Sequence, residues 1–223
     1  MWWIIYEGKG LLLEICFLDS VESTHLYLKQ YIKKNGYTKP LCIATNHQTK
    51  GIGSRDNTWQ GRKGNLFFSF VIDEELLTSD LPIQSTSIYF SFILKELLSE
   101  MGSKIWLKWP NDFYIADKKI GGTITNKVKE LYYCGIGLNV QFVHEEYGYL
   151  DIEIEIMNLL QSYFSIILQK QTWKQVFSKY LLEFENSKEY KATIQKEKVS
   201  LKNAFLNDDG SITIDNKKVF SLR

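Results

Sequence analysis

Histidine, cysteine and proline are all scarce, because the chain of 223 residues contains only three of each. The cysteines lie far apart in apolar, strand-like runs, a pattern typical of buried free thiols and not of disulfides or a thiolate metal site. The histidines show neither the spacing of metal ligands nor a serine, histidine and aspartate arrangement. We therefore expect a reducing compartment and a cytoplasmic protein. The residues concerned are Cys16, Cys42, Cys134, His25, His47 and His144.

Neither positive nor negative charge dominates, and no long apolar run is present. Lysine and arginine number 27 against 26 aspartate and glutamate, a net charge of +1, so no overall field attracts nucleic acid or an anionic membrane. The apolar N-terminus, residues 1–6, is interrupted before it could form a signal sequence, and no run reaches the length of a membrane span. We expect no nucleic-acid or membrane partner, and any cationic site must be local.

Alternating strand-like and helix-like segments predict an α+β fold in one main domain with a small appendage. Strand patterns occur at 4–6, 11–18, 41–45, 66–72, 104–108 and 131–140, and the apolar run 66–72 indicates a strand covered on both faces. Helix patterns occur at 23–34 and 82–101, and residues 152–186 are predicted to hold one or two helices, although 152–156 also alternates like a strand. Residues 49–64 are predicted to form a loop, and the residues from about 188 a β-rich appendage packed on the main domain.

The segment Lys108–Asp112, followed by Lys119–Gly122, places two lysines, a carboxamide and a carboxylate around one turn. Pro110 has a fixed φ and favours an extended residue before it, so the preceding strand is expected to end in a rigid corner. Lysines beside a carboxylate suit phosphate and metal chemistry. The alternative is an ordinary β-hairpin with a solvated, charged tip.

Other motifs flank this corner on both sides. They are Ser23-Thr24-His25, the glycine-containing run from Gln48 to Trp59, Gly64-Asn65-Leu66, and Gly135-Ile136-Gly137-Leu138-Asn139. The last is too short for a dinucleotide fingerprint and does not open a helix, which excludes that interpretation. In this order, and together with the corner, the motifs closely resemble those of the biotin protein ligases, which activate biotin with ATP and attach it to a lysine of a carrier protein. The resemblance spans residues 23 to 139.

The resemblance implies a fold, substrates and partners. The fold is a mixed or antiparallel sheet flanked by helices, with a catalytic domain at residues 1–186 and a small SH3-like β appendage at residues 187–223. The substrates are biotin and ATP with Mg²⁺, and the partner is the biotin carboxyl carrier protein of acetyl-CoA carboxylase or of a related biotin enzyme. The resemblance leaves open whether the protein forms a homodimer, since exposed strand edges pair in some relatives.

The resemblance also implies roles for individual residues. Lys119 reaches both the biotin carboxylate and the α-phosphate, and Asp112 holds Mg²⁺, so these two are the catalytic residues. The ATP-binding residues are Arg55, Trp59, Lys108, Asn111, Lys119 and Asn139. The biotin-binding residues are Ser23, Thr24, His25, Gln48, Gly51, Ile52, Gly53, Ser54, Lys119, Gly122, Gly135 and Gly137. Two alternatives stay open: Ser23 as a helix N-cap, and Lys108 as a lysine with a packed stem and a solvated head.

The chain departs from the family pattern in its glycine-containing loop and after Thr24. Ile52, Ser54 and Asn57 stand where the family commonly has arginines, and His25 stands where it usually has asparagine. With fewer fixed cations, this loop is expected to hold the adenylate less tightly through charge. Whether Arg55, Arg62 or Lys63 replaces the missing arginines stays open, and glycine backbone N–H groups offer an alternative anion nest.

Two other functions compete with biotin ligation. A lipoate or octanoate ligase shares the fold and a catalytic lysine, but its pocket holds only an acyl chain, so the polar side chains of Ser23, Thr24 and Gln48 favour biotin. A biotin-responsive DNA-binding repressor carries an N-terminal helix-turn-helix domain. The 22 residues before Ser23 are predicted to be strands, which favours a ligase without repressor activity.

Overall fold

The computed structural model describes residues 1–8, 11–53, 58–59, 62–194 and 197–220, and within them a mixed eight-stranded sheet carries the fold. Its strands run β1-β2-β3-β6-β10-β9-β8-β7 across the sheet, and neighbours are antiparallel except for the parallel pair β2 and β3. The pair β4 and β5 is separate and lies in the stretch predicted to be a loop. The bounds are β1 (Trp2–Gly8), β2 (Leu11–Leu18), β3 (Leu41–Thr45), β4 (Gly51–Ile52), β5 (Thr58–Trp59), β6 (Leu66–Asp73), β7 (Trp106–Lys108), β8 (Asp112–Ile115), β9 (Lys118–Val128) and β10 (Leu131–Leu138). The predicted fold class is confirmed.

Four α-helices flank the sheet in the described residues: α1 (Thr24–Asn35), α2 (Thr86–Glu100), α3 (Ile156–Leu168) and α4 (Trp173–Ser187). The predicted helical stretch 152–186 is two helices, because Thr172 begins a new one with a capping box to Gln175. Glu155 caps α3, so the alternating run 152–156 is not a strand. None of the helices in the described ranges is long and apolar enough to cross a bilayer.

The central strand β6 is buried from Leu66 to Ile72. On one face Phe68 and Phe70 pack edge to face against Phe164, with ring centroids 6.4 and 5.1 Å apart. On the other face Val71 belongs to a second cluster with Leu28 of α1. Both faces are covered, which explains the continuous apolar run. The three cysteines are buried and free, as predicted.

The C-terminal region is β-rich, as predicted, and it shares the core of the main domain. It contains a two-stranded sheet, β11 (Lys191–Ile194) with β12 (Glu197–Ser200), and a three-stranded sheet, β13 (Phe205–Leu206), β14 (Ile212–Ile214) and β15 (Lys217–Val219). Ala192, Leu201 and Ile212 are buried in the same cluster as α2 and β6. The division at residue 186 and the SH3-like likeness stay predictions.

One turn of this region docks on the main domain through three successive carbonyl oxygens. Those of Asp208 and Gly210 accept hydrogen bonds from the indole N–H groups of Trp173 (2.7 Å) and Trp109 (2.9 Å). The carbonyl of Asp209 accepts from the Ser85 hydroxyl. Gly210 has φ +73°, and a Cβ there would lie 2.6 Å from Ser85 Oγ, so only glycine fits. The turn therefore ties α4, the start of α2 and the corner together.

The Asp209 carboxylate reinforces this turn. It accepts hydrogen bonds from Gln84 Nε2 (3.2 Å), Ser211 Oγ (2.5 Å) and Lys218 Nζ (2.7 Å). Burial by itself raises the pKa of Asp209, but these hydrogen bonds outweigh it and lower the pKa to about 2. The ionised form is therefore favoured in the folded protein.

We expect Asp209→Asn to reduce the free energy of unfolding by about 2 kcal/mol near neutral pH, the equivalent of the pKa shift. The folded pKa lies below the unfolded one, so the wild-type advantage is full above pH 4 and is lost between about pH 4 and 2. Urea unfolding of both proteins across this range measures the difference. Asp208→Asn, at an exposed neighbour, is the control. A stability difference that does not shrink on acidification contradicts the assignment.

Candidate active site

A cavity of about 440 Å³ opens on the sheet beside the N-terminus of α1. Its size is that of a small-molecule site. Most of the predicted site residues line it: Ser23, Thr24, His25, Gln48, Ile52, Gly53, Asn111, Asp112, Lys119, Gly122, Gly135 and Gly137. Residues more than 100 positions apart in the chain thus meet in one place.

The other six predicted site residues are placed differently. Gly51, Lys108 and Asn139 are not among the described residues that line the cavity. Asn139 is buried, and its amide donates to the Gly148 carbonyl at 3.1 Å, so it holds the segment after β10. Ser54 and Arg55 lie outside the described residues, as does Asn57, and of Trp59 only the backbone is described, in β5.

An ion pair forms one end of the cavity. Lys119 Nζ lies 2.6 Å from Asp112 Oδ1, because β8 and β9 pair as a hairpin that brings the two residues to the same edge. A Cβ on Gly122 would lie 3.4 Å from that oxygen and 3.7 Å from the Lys119 nitrogen. The glycine therefore leaves room beside the pair. Asp112 and Lys119 line the cavity, so the interpretation of the Lys108–Asp112 corner as a solvated, charged hairpin tip is wrong.

Lys108 supports Asp112 from the side away from the cavity. Its side chain is only 10% exposed, and its Nζ lies 3.6 Å from Asp112 Oδ2. The same ammonium contacts the Tyr114 hydroxyl at 3.4 Å and lies over the Tyr114 ring. Burial, with the Asp112 charge, raises the pKa of Tyr114 to about 12. The interpretation of Lys108 as a solvated head is therefore wrong.

The corner between β7 and β8 is held from several directions. The Trp109 backbone N–H donates to Ser187 Oγ at 3.0 Å, and its indole donates to Gly210. The Asn111 amide donates to the Thr123 carbonyl, and the Thr123 N–H donates back to the Asn111 carbonyl at 3.0 Å. The peptide bond before Pro110 is cis. These contacts position Asp112, which follows directly.

The other end of the cavity is polar and uncharged. Gln48 Oε1 accepts hydrogen bonds from the Thr24 backbone N–H (2.8 Å) and hydroxyl (3.0 Å). The Thr24 hydroxyl lies 2.8 Å from Ser69 Oγ. Ser23 caps α1 by accepting from the Leu26 N–H and also lines the cavity, so both of its predicted roles are compatible.

His25 contributes its side chain to this polar end. Its Nε2 lies 3.2 Å from Asn126 Oδ1 on β9. Burial, and to a lesser extent the charge of Lys29, lowers the pKa of His25 to about 4. The ring is therefore neutral near pH 7. Its Nδ1 is buried and has no hydrogen-bond partner in the part of the chain that is described.

Sequence patterns alone do not identify several lining residues. These are Ser69, Thr123, Ile124, Ile136 and Tyr147. Ser69 has one signal, since it is the single hydroxyl within the apolar run of β6. Among the described residues, no three His, Cys, Asp or Glu side chains come together to hold a metal ion.

The two ends suit a ligand with two different ends. Glycines at positions 122, 135 and 137 form part of the lining between them and allow close approach. The cationic end suits a carboxylate beside a phosphate, and the polar end suits a small neutral group with hydrogen-bonding atoms.

Comparison with known proteins places this geometry in a family. Residues 17–140 match the sequence model of the biotin/lipoate A/B protein ligase family. A relative from Arabidopsis thaliana, biotin–protein ligase 2, is 33% identical over 108 residues, which cover 45% of this chain and 32% of that protein. The chain thus spans about a third of the length of that relative.

Solved structures agree over most of the chain. The crystal structure of biotin acetyl coenzyme A carboxylase synthetase from Helicobacter pylori, with biotinylated ATP bound, is 40% identical with a TM-score of 0.88. The match covers 92% of this chain and 98% of that chain. The biotin protein ligase of Aquifex aeolicus in complex with biotin and ATP shares the fold, at 22% identity and a TM-score of 0.66 over 94% of this chain and 98% of that one.

Proposed function

The chain belongs to the biotin/lipoate A/B protein ligase family, and on that premise we propose that it is an ATP-dependent biotin protein ligase. It forms biotinyl-5′-AMP from biotin and ATP, and then transfers biotin to a lysine of a biotin carboxyl carrier protein. The observation that carries the proposal is Lys119, whose ammonium lines the cavity next to Asp112 and beside the open space at Gly122.

The first step joins two anions. A biotin carboxylate oxygen attacks the α-phosphorus of ATP, a new oxygen–phosphorus bond forms, and the bond to the β-phosphate bridging oxygen breaks to release pyrophosphate. Lys119 stabilises both the approaching carboxylate and the charge that develops on the α-phosphate. Asp112 positions this ammonium before the substrates bind.

In the second step a neutral amine of the carrier lysine attacks the biotinyl carbonyl carbon, and AMP leaves with the electrons of the broken carbon–oxygen bond. The amine nitrogen loses one proton to solvent as the amide forms. The positive charge of Lys119 again lies next to the group that gains negative charge. The glycines at positions 122 and 137 leave the adenylate accessible along the cavity.

The polar end supports biotin over an acyl ligand. Biotin carries a ureido group with two N–H donors and a carbonyl, and a buried site that does not match them loses free energy. Thr24, Gln48 and Ser69 supply hydroxyl and amide groups at that end. Lipoate and octanoate have no such group, which disfavours the lipoate ligase alternative.

Asp112 fits a magnesium ion that arrives with ATP better than a resident metal. Its two oxygens already face Lys119 and Lys108, at 2.6 and 3.6 Å, and it is a single carboxylate. Mg²⁺ bound to nucleotides commonly takes one or two carboxylates, with phosphate and water oxygens as the remaining ligands. Asp112 would supply one oxygen ligand to such an ion, which would screen the phosphate charge.

We also propose a location and partners for the protein. A cytoplasmic protein without nucleic-acid or membrane partners is consistent with the net charge of +1. The edge strand β1 exposes Trp2, Trp3 and Ile5, a surface suited to the carrier protein or to a second copy of the chain. Sedimentation of the purified protein with and without the carrier distinguishes these two partners.

The class of ligase is tested by pyrophosphate exchange into ATP with biotin and with lipoate side by side. We expect exchange that depends on biotin alone. Exchange supported by lipoate, and not by biotin, rejects the proposal in favour of a lipoate ligase.

We expect Lys119→Ala to lower biotin adenylation by at least about a hundredfold, because one preorganised charge-stabilising group is lost. Pyrophosphate exchange measures the rate, and circular dichroism checks folding. Lys118→Ala is the matched control, since Lys118 is the exposed neighbour and donates only to the Glu145 carbonyl among its described contacts. Near wild-type adenylation by a folded Lys119→Ala protein rejects the assigned role.

If Asp112 supplies an oxygen to Mg²⁺, Asp112→Asn raises the Mg²⁺ concentration for half-maximal activity much more than it weakens biotin binding without ATP. A magnesium titration of activity and calorimetry with biotin alone provide the two numbers. Asp117→Asn, at the exposed tip of the same hairpin, is the control. An unchanged magnesium dependence contradicts the proposed ligand role and leaves Asp112 with a structural role only.

A further inference from the structure

Two polar side chains from different elements converge above Gly135 in the cavity. A Cβ built on Gly135 would lie 3.1 Å from Ser69 Oγ and 3.3 Å from His25 Nδ1. Ser69 comes from β6 and His25 from α1, and both line the cavity. The third close atom is Ile124 Cγ1, at 3.2 Å. Because position 135 is a glycine, a ligand can approach both polar atoms.

The proton on the Ser69 hydroxyl is directed away from this space. The Thr24 backbone N–H donates to Gln48 Oε1 at 2.8 Å, which identifies that atom as the amide oxygen. An amide oxygen only accepts, so the Thr24 hydroxyl, 3.0 Å away, donates to it. The 2.8 Å hydrogen bond between Thr24 and Ser69 must then use the Ser69 proton. Ser69 Oγ therefore faces the cavity as an acceptor.

The imidazole of His25 is also an acceptor on this side. Its Nε2 faces the carbonyl oxygen of Asn126 at 3.2 Å, so Nε2 carries the proton of the neutral ring. Nδ1 is left with a lone pair. That atom is buried and has no partner among the described residues, and the lowered pKa agrees with a neutral ring. A buried acceptor without a partner is costly until a donor reaches it.

We propose that His25 Nδ1 and Ser69 Oγ form an acceptor pair that binds the N–H side of a cyclic urea and selects biotin against acyl-chain ligands. This assignment rests on the proposed function and deepens it. Lipoate and octanoate carry no N–H donor at that end, so they bury both acceptors unpaired. A site built for a donor rejects analogues that lack it more strongly than an apolar pocket rejects an analogue of different size.

The test is calorimetric binding without ATP. The ligands are biotin and two biotin derivatives, each with a methyl group on one ureido nitrogen. The proteins are the wild type, His25→Phe, Ser69→Ala and, as the matched apolar control at the same point, Ile124→Val. We expect each of the two polar variants to bind biotin about tenfold more weakly than the wild type, the effect of one lost hydrogen bond. For the derivative that lacks the corresponding N–H, the same substitution has little effect.

The control and a conservative variant complete the design. Ile124→Val changes only packing, so it affects biotin and its methylated derivatives equally. His25→Asn keeps a carbonyl oxygen acceptor, and we expect it to bind biotin more tightly than His25→Phe. If His25→Phe and Ser69→Ala weaken the binding of biotin and of both derivatives equally, the acceptor pair is rejected while biotin ligation stands. Binding of lipoate without binding of biotin by the wild type rejects the proposed function itself.

Nuclear magnetic resonance tests the tautomer in the wild-type protein, independently of any substitution. Long-range proton–nitrogen correlation spectra of the three histidines distinguish a protonated ring nitrogen from a bare one. We expect His25 Nδ1 to be bare in the free protein and to shift towards the values of a hydrogen-bonded nitrogen when biotin is added. A protonated Nδ1, or no shift with biotin, rejects the proposal.

Discussion

Two ammonium groups, one lining the cavity and one behind it, share a single carboxylate, and the chemistry proposed for this protein depends on that arrangement. Lys119 and Lys108 lie 2.6 and 3.6 Å from the two oxygens of Asp112, so two positive charges minus one negative leave one positive charge in excess. The group is partly buried, where charges interact more strongly than in water. A chain with a net charge of only +1 thus still offers a local anion site.

The corner that carries Asp112 depends on distant parts of the chain. Ser187 of α4 and Gly210 of the C-terminal turn hold Trp109, and Glu183 accepts a hydrogen bond from the Leu107 backbone at the outer edge of the sheet. Burial raises the pKa of Glu183, although Lys95, 2.5 Å away, opposes this. None of the described C-terminal residues lines the cavity, but Gly210 helps to hold the corner that positions Asp112.

At the opposite end of the cavity, the direction of the hydrogen bonds, and not charge, determines which ligand groups fit. A chain of donors runs from Ser69 to Thr24 to Gln48, and His25 keeps its proton on the side of Asn126. Acceptors are left facing the ligand. In the proposed complex, a neutral ligand group with N–H donors completes this end, and the ion pair binds the carboxylate and phosphate at the other.

The sequence by itself determined the local features of this protein. The order of strands and helices follows from apolar periodicity. The proximity of Lys119 to Asp112 follows from their separation of seven residues across one hairpin. Motif order was sufficient to indicate the family, which the comparisons confirm. Only tertiary structure decided the pairing of His25 with Asn126 and of Trp109 with Gly210, each 101 residues apart, and the position of Ser69 beside Thr24. These contacts exist because β3, β6 and β10 are neighbours in the sheet but not in the chain, and because a docked C-terminal turn covers the corner. Periodicity and spacing report which face of an element is buried, but not which distant element covers that face.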